Sequence, residues 1–365
     1  MIIDVHCHIG FSARRVDESV PRYSFEKAGA AGHPGFDSYF SPRLVSRPAW
    51  FFVRRWLGVD PRLPIGEALD DRIDAVYERH WSQTKAVDRL VLLAFDEYRD
   101  DAGCVIGPAA RRQRRGSDIY TSNSLVAARC RANPKRYLFG ASIHPYRNEG
   151  GRSAVEMLEE LAAGDVRPAL VKWLPIHQNI RAEDPRTVAF LRMAAKLHIP
   201  MLIHYGGEMS LSRQHMEFEH PGPMIGVLRK LREEGTMPTV IVAHMATPSF
   251  PWQSGDGFNT LIEAMTGEFR DAPLYGDISA LAAFGRTGWL SRMADDPTLQ
   301  AKAVYGSDFP IPVMLWPYWR RVDRAKRREI VGLASWIDQD VAIKRAVGIG
   351  NEVFTRAAQV LEFAS

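Results

Sequence analysis

Cysteine is scarce in this chain. Three residues in 365, Cys7, Cys104 and Cys130, are too few and too scattered for a disulfide framework. Free thiols in a reducing compartment are the simpler expectation. Long apolar runs are missing too. No stretch approaches the roughly 18 residues that a membrane-spanning helix needs, so no membrane partner is expected. The N-terminus has no basic region leading through an apolar stretch to a small-residue cleavage site, and a cytoplasmic protein is expected. Charge of one sign is also in short supply. Lys and Arg number 47 against 43 Asp and Glu, a net charge of +4. That balance argues against a nucleic-acid partner. The one basic cluster, Arg111, Arg112, Arg114 and Arg115, reads as a solvated loop. No internal repeat, low-complexity tract or linker divides the chain, so one domain is expected over residues 1–365.

What is present is a soluble, globular composition, 46% hydrophobic and 25% charged. Short β-rich runs alternate with amphipathic segments. Strands are expected at residues 2–6, 89–94, 137–143, 169–173, 200–204, 239–244, 274–278 and 303–306. Helical patterns fill residues 70–84, 153–163, 185–197, 223–234 and 257–269. Several strand runs are apolar throughout, as strands buried on both faces of a parallel sheet must be. Eight such strands with helices between them imply an α/β fold, a (β/α)8 TIM-like barrel. A doubly wound open sheet would bring a glycine-rich loop after the first strand, and none follows it.

The spacing is uneven. A long excursion, residues 11–64, separates the first strand from its helix and carries Trp50, Phe51, Phe52 and Trp56. Loops that follow barrel strands sit over the active-site face. This one is expected to act as a lid or as a homodimer interface, with its aromatics buried. Residues 98–118 form a second, smaller insertion on the same face.

Polar residues gather where the strands end. The first strand closes in His6-Cys7-His8, and alternation puts both imidazoles on one face. His204 closes Pro-Met-Leu-Ile-His, His244 closes Val-Ile-Val-Ala-His, and Asp308 follows Val-Tyr-Gly-Ser. Barrel enzymes place their chemistry at these carboxyl ends. Imidazoles with a carboxylate and an open position describe a cation that activates water.

In these motifs the chain resembles the amidohydrolase superfamily, in the branch related to aminocarboxymuconate semialdehyde decarboxylase. The likeness runs from Asp4-Val-His6-Cys-His8 to Gly350-Asn351-Glu-Val-Phe, and Tyr-Gly-Ser-Asp308-Phe-Pro is its sharpest marker. The resemblance implies a distorted barrel holding one divalent metal, zinc by expectation. It implies His6, His8, His204 and Asp308 as ligands and His244 as a catalytic or second-metal position.

Lys172, at the end of Ala-Leu-Val-Lys, leaves alternatives open. A carboxylated lysine there would bridge two metals and make His244 a ligand. An unmodified one would form a salt bridge or bind substrate. One metal and a substrate-facing ammonium are expected. His177 and Glu208 face the same mouth and are expected to contact a small-molecule substrate. The leading expectation is hydrolysis of an amide, ester or lactone of a small organic acid by metal-activated water, with Asp308 taking the water's proton and His244 serving the oxyanion or leaving group. Non-oxidative decarboxylation of a small unsaturated or aromatic acid is the alternative, and an inactive metal-binding barrel is the second.

Overall fold

The computed structural model describes residues 1–362, so the last three residues of the expected domain lie outside the described residues. Eight parallel strands form one sheet in sequence order: β1 Ile3–His8, β2 Arg89–Leu93, β3 Tyr137–Ala141, β4 Leu170–Trp173, β5 Met201–His204, β6 Val240–Ala243, β7 Leu274–Asp277 and β8 Ala303–Val304. The sheet curls until its edges meet. Val5 N donates to Tyr305 O at 3.2 Å, Asp308 N to His6 O at 2.8 Å and His8 N to Phe309 O at 2.8 Å. The fold is thus the TIM-like barrel that the alternation of strands and helices implies.

Inside the barrel, Ile3, Val5, Val91, Leu93, Leu138, Leu170, Leu202, Ile241, Ala243 and Val304 form one buried cluster. Ala357, Val360 and Leu361, from the end of the chain, join it. A larger apolar cluster lies between the strands and the surrounding helices. Those helices start where the sequence offers caps. Ser153 and Glu156 form a capping box before Ala154–Ala163, and the Asp184 side chain caps Pro185–Lys196. No helix among the described residues is long and apolar enough to cross a membrane.

Strict alternation explains some site positions and fails at others. Leu170 and Leu202 point into the barrel, so Lys172 and His204, two residues on, point to the same interior nearer its mouth. In β1, Ile3 and Val5 face inward, so alternation alone would turn His6 and His8 outward. The register shows why it does not. Asp4 pairs with Leu90 and Cys7 with Leu92, so Val5 and His6 together oppose the single residue Val91. This extra residue is a β-bulge, and it swings both histidines to the inside while Cys7 packs outward.

Residues 11–64 are woven onto the barrel. Ala13–Arg15, Phe36–Phe40 and Ile119–Thr121 make a three-stranded antiparallel sheet that ties this excursion to the loop after β2. Arg47 donates to the carbonyls of Met209 and Ser210 in the loop after β5. The expected burial of the aromatic group is corrected in part. In helix Pro48–Trp56 the inward stripe is Trp50, Val53, Arg54 and then Leu57, a 3.6-residue period. Trp50 packs on Phe40, but Phe51, Phe52 and Trp56 fall on the other face and are about half exposed or more, at 48%, 62% and 51%.

Candidate metal centre

Three donor atoms converge at the mouth of the barrel, where β1 meets β8. His6 Nε2 lies 3.2 Å from His8 Nε2, His8 Nε2 lies 3.0 Å from Asp308 Oδ1, and His6 Nε2 lies 3.3 Å from the same oxygen. A triangle with these edges has all three atoms about 1.8 Å from its centre, so a cation about 2.0–2.2 Å from each fits just outside the plane. His6 is buried, whereas the His8 side chain is 30% exposed, which opens one side of the triangle toward the mouth. The residues present therefore fit a divalent metal.

Local backbone makes this convergence. Asp308 has a left-handed φ of 65°, uncommon for a residue with a Cβ. Gly306 lets the strands close up: a Cβ there would lie 2.9 Å from that of His6 and 3.1 Å from that of Ser279. His244 follows Ala243, which faces the barrel interior, so a regular strand would turn it away. Instead His244, Met245 and Ala246 all take φ near +53°. Strain of this kind collects at functional sites. Gly276 makes room for the turn, since a Cβ there would meet Met245 Sδ at 2.2 Å.

Asp277, at the end of β7, organises the imidazoles from behind. His6 Nδ1 donates to its Oδ2 at 2.8 Å, and its Oδ1 accepts from the backbone N–H groups of His244 and Ser279 at 2.8 and 2.9 Å. The Ser279 hydroxyl donates to Oδ1 as well. With its proton on Nδ1, His6 presents a lone pair at Nε2, as a ligand must. His244 Nδ1 lies 3.0 Å from the Ser279 carbonyl, which fixes the ring proton there and leaves Nε2 as an acceptor. With its proton on Nδ1, the resting His244 presents an acceptor at Nε2. Burial holds His6, His204 and His244 well below the ordinary histidine range, so all three rings are neutral. Burial would raise the Asp308 carboxyl, but His6, His8 and Lys172 outweigh it and hold the group ionised.

The other expected site residues separate into two groups. Lys172 is brought in: its Nζ lies 3.1 Å from His6 Nε2, and burial depresses it to about 8. His204 stands edge-on to His244, with ring centroids 4.8 Å apart, but its Nε2 faces the Gly207 carbonyl at 3.2 Å and lies outside the triangle. Glu208 turns inward beside it, one oxygen 3.7 Å from His204 Nε2 and the other accepting from Leu211 N. His177 is not brought in. It is fully buried, its Nε2 accepting from Asp118 N and its Nδ1 facing Ser212 O at 3.0 Å, so it braces two loops.

Sequence reasoning missed Asp277, Ser279 and Arg286. Asp277 carried a readable signal, a carboxylate at a strand end, but Tyr275 and Gly276 interrupt the apolar run that draws attention to such positions. Arg286 carried none. It lies nine residues past the end of its strand and is nonetheless buried, at 7% exposure.

Comparison with known proteins gives the same architecture. An uncharacterised TIM-barrel protein from Bordetella bronchiseptica shares 15% identity over 99% of both chains, with a TM-score of 0.52. A 2,6-dihydroxybenzoate decarboxylase from Rhizobium shares 13% over 99% of this chain and 98% of its own, with a TM-score of 0.48. The 5-carboxyvanillate decarboxylase of Sphingomonas paucimobilis shares 12% over 100% and 99%, with a TM-score of 0.47. No curated protein matches the sequence. Residues 3–351 match the amidohydrolase family, enzymes that use divalent metals, and the chain belongs to that family.

Proposed function

We propose that this protein is a metal-dependent decarboxylase of a small unsaturated or aromatic carboxylic acid. The observation that carries the reading is the charge around the donor triangle. Two buried cationic side chains, Lys172 and Arg286, face the same mouth as His6, His8 and Asp308. Such a cup attracts an anion. Hydrolysis of an ester, amide or lactone creates a carboxylate, which this site would retain. Decarboxylation removes one, so the product leaves with less charge than the substrate brought.

A divalent cation at the triangle, zinc by first assignment, with manganese or iron also suited to imidazole and carboxylate, supplies Lewis-acid polarisation of a substrate oxygen. Lys172 balances the charge of the bound acid. As the carbon–carbon bond to the carboxyl group breaks, its electron pair stays on the substrate carbon. Asp308 brings that carbon a proton, taken up beforehand from the substrate's own hydroxyl or from solvent. His244, anchored through Nδ1, accepts a hydrogen bond at Nε2 and orients the substrate.

Hydrolysis is the second reading, favoured by one observation: the neutral His244 offers an acceptor nitrogen able to take a proton from water. The test is a panel assay of protein loaded with zinc or manganese. Aromatic and unsaturated carboxylic acids are followed by carbon dioxide release, and carboxylated lactones, esters and amides by acid release. Metal-dependent carbon dioxide release is expected. Acid release alone would transfer the assignment to hydrolysis.

A further inference from the structure

Arg286 is a buried cation without a carboxylate. It ends the loop after β7 and reaches across the mouth to the loop after β5, where Nη2 donates to the Gly207 carbonyl. Its Nε is buried and has no partner, and no carboxylate lies within 4.0 Å of the guanidinium among the described residues. Two other buried arginines around the mouth, Arg43 and Arg147, are neutralised. Arg43 Nε lies 2.6 Å from Asp118, and Arg147 lies 3.2 Å from Asp96. A guanidinium has five N–H donors in a planar fork matched to a carboxylate. Burying one on a single neutral carbonyl is costly unless an anion completes it.

The position is held firmly. Gly285, with φ of 86°, delivers Arg286 by packing so tightly on Ser249 that a Cβ would lie 1.9 Å from the Ser249 carbonyl oxygen. The Gly207 carbonyl that Arg286 grips also faces His204 Nε2 at 3.2 Å, so the guanidinium stands next to the β5 histidine. The donor triangle lies on the β1–β8 side of the mouth and Arg286 bridges β7 to β5. A ligand that meets both is held at two points. Of the acids on this side, Glu208 acts most strongly on the guanidinium but only through space, one of its oxygens held by Leu211 N, and Asp277 is engaged by His6, His244 and Ser279. Neither neutralises the arginine by contact.

We infer that Arg286 reads a second carboxylate on the substrate, separate from the carboxyl group that reacts, so that the substrate class is a small dicarboxylic acid. This inference rests on the carboxylic-acid reading of the site, and binding measurements separate the two. Manganese-loaded protein is titrated calorimetrically with benzoate and with each of the three benzenedicarboxylate isomers. At least one isomer is expected to bind ten-fold or more tightly than benzoate. Arg286→Gln should erase that preference, weakening the favoured isomer at least ten-fold more than benzoate, while manganese content stays within two-fold. Arg286→Lys, which keeps charge but loses the fork, should lower the preference at least three-fold, and it serves if the Gln variant does not fold. A preference that survives either variant, or one absent from the parent protein while benzoate binds, overturns the role of Arg286 and leaves the site reading intact. No binding of benzoate or of any isomer to the loaded protein overturns both.

Discussion

His6 Nδ1 and Asp277 Oδ2 are 2.8 Å apart, although 271 residues separate them in the chain. The contact joins the first barrel strand to the seventh and decides which nitrogen of His6 faces the donor triangle. Asp277→Asn keeps the shape but removes the charge that orients and strengthens the imidazole. Losing such a partner typically costs 10–100-fold in metal affinity. Competition titration with a chromogenic chelator should show a loss in that range, with the melting curve of the metal-free protein little changed. Unaltered affinity would mean that Asp277 only braces the loop.

One divalent cation per chain is expected. A second cluster of potential ligands, His6, His244 and Asp277, shares His6 with the first, and there its Nδ1 is already engaged by Asp277. Lys172 is expected to remain an amine, so bicarbonate should leave the stoichiometry unchanged. His8→Ala and Asp308→Asn should each strip most of the metal or raise its dissociation constant at least ten-fold. In the Asp308 variant, residual carbon dioxide release should fall about 100-fold or more, the scale of a lost proton-transfer group. Two equivalents bound in a bicarbonate-dependent way would instead establish a bridging, carboxylated lysine.

The barrel was legible because apolar strands with period-two patterning recur between amphipathic helices, and because five of the polar residues that end them share one chemistry. Lys172 and His204 lie in the mouth two residues beyond Leu170 and Leu202, where strand alternation alone carries them. His6, His8 and His244 also lie there, but for reasons that the pattern does not contain. A bulge at Val5 and His6 and a left-handed turn at His244 each reverse the face that alternation would assign. Arg286 could not be read at all. An arginine in a loop looks exposed in sequence, and only tertiary packing buries it.

The exposed face of helix Pro48–Trp56 makes its own prediction. Phe51, Phe52 and Trp56 lie together on the solvent side of a nine-residue helix, beside Arg55. Covering a large apolar side chain is worth about 1.5–3 kcal/mol, enough for three to hold a partner surface. Replacing Phe52 and Trp56 with glutamate should lower the mass seen in sedimentation or multi-angle scattering if copies of the chain pair through this face. The same change should shift monomer stability by less than about 1 kcal/mol, since neither ring joins the core. An unchanged mass would remove pairing through this face, and a raised KM in the same variant would place it at substrate entry instead.

His144 gives the fold an acid-sensitive point away from the metal. Its ring is fully buried, with Nε2 donating to Gln178 O at 2.7 Å and Nδ1 accepting from Tyr146 N at 3.1 Å. Both nitrogens are thereby committed to the neutral form. Burial first, and then the nearby Arg99, depress this histidine from 6.5 to about 3. In the unfolded chain the same ring takes up a proton as the pH falls below about 6.5. Over the window from pH 6.5 to about 3 the unfolded state therefore binds one proton that the native state refuses. Stability from this group is fully present above that window and drains away below it, at up to about 1.4 kcal/mol per pH unit. His144→Gln keeps a donor toward Gln178 but does not titrate. The variant should be less stable than the parent at pH 8, by about 1–3 kcal/mol for a lost buried hydrogen bond. That deficit should shrink steadily as the pH is lowered from 6.5 toward 4, because only the parent is losing this increment. Denaturant melts of the two proteins at half-unit pH intervals measure the difference directly, and the other titrating groups cancel between them. A deficit that stays constant across the window would show that His144 is protonated in the native protein, and the hydrogen-bond assignment at Nδ1 would then be wrong.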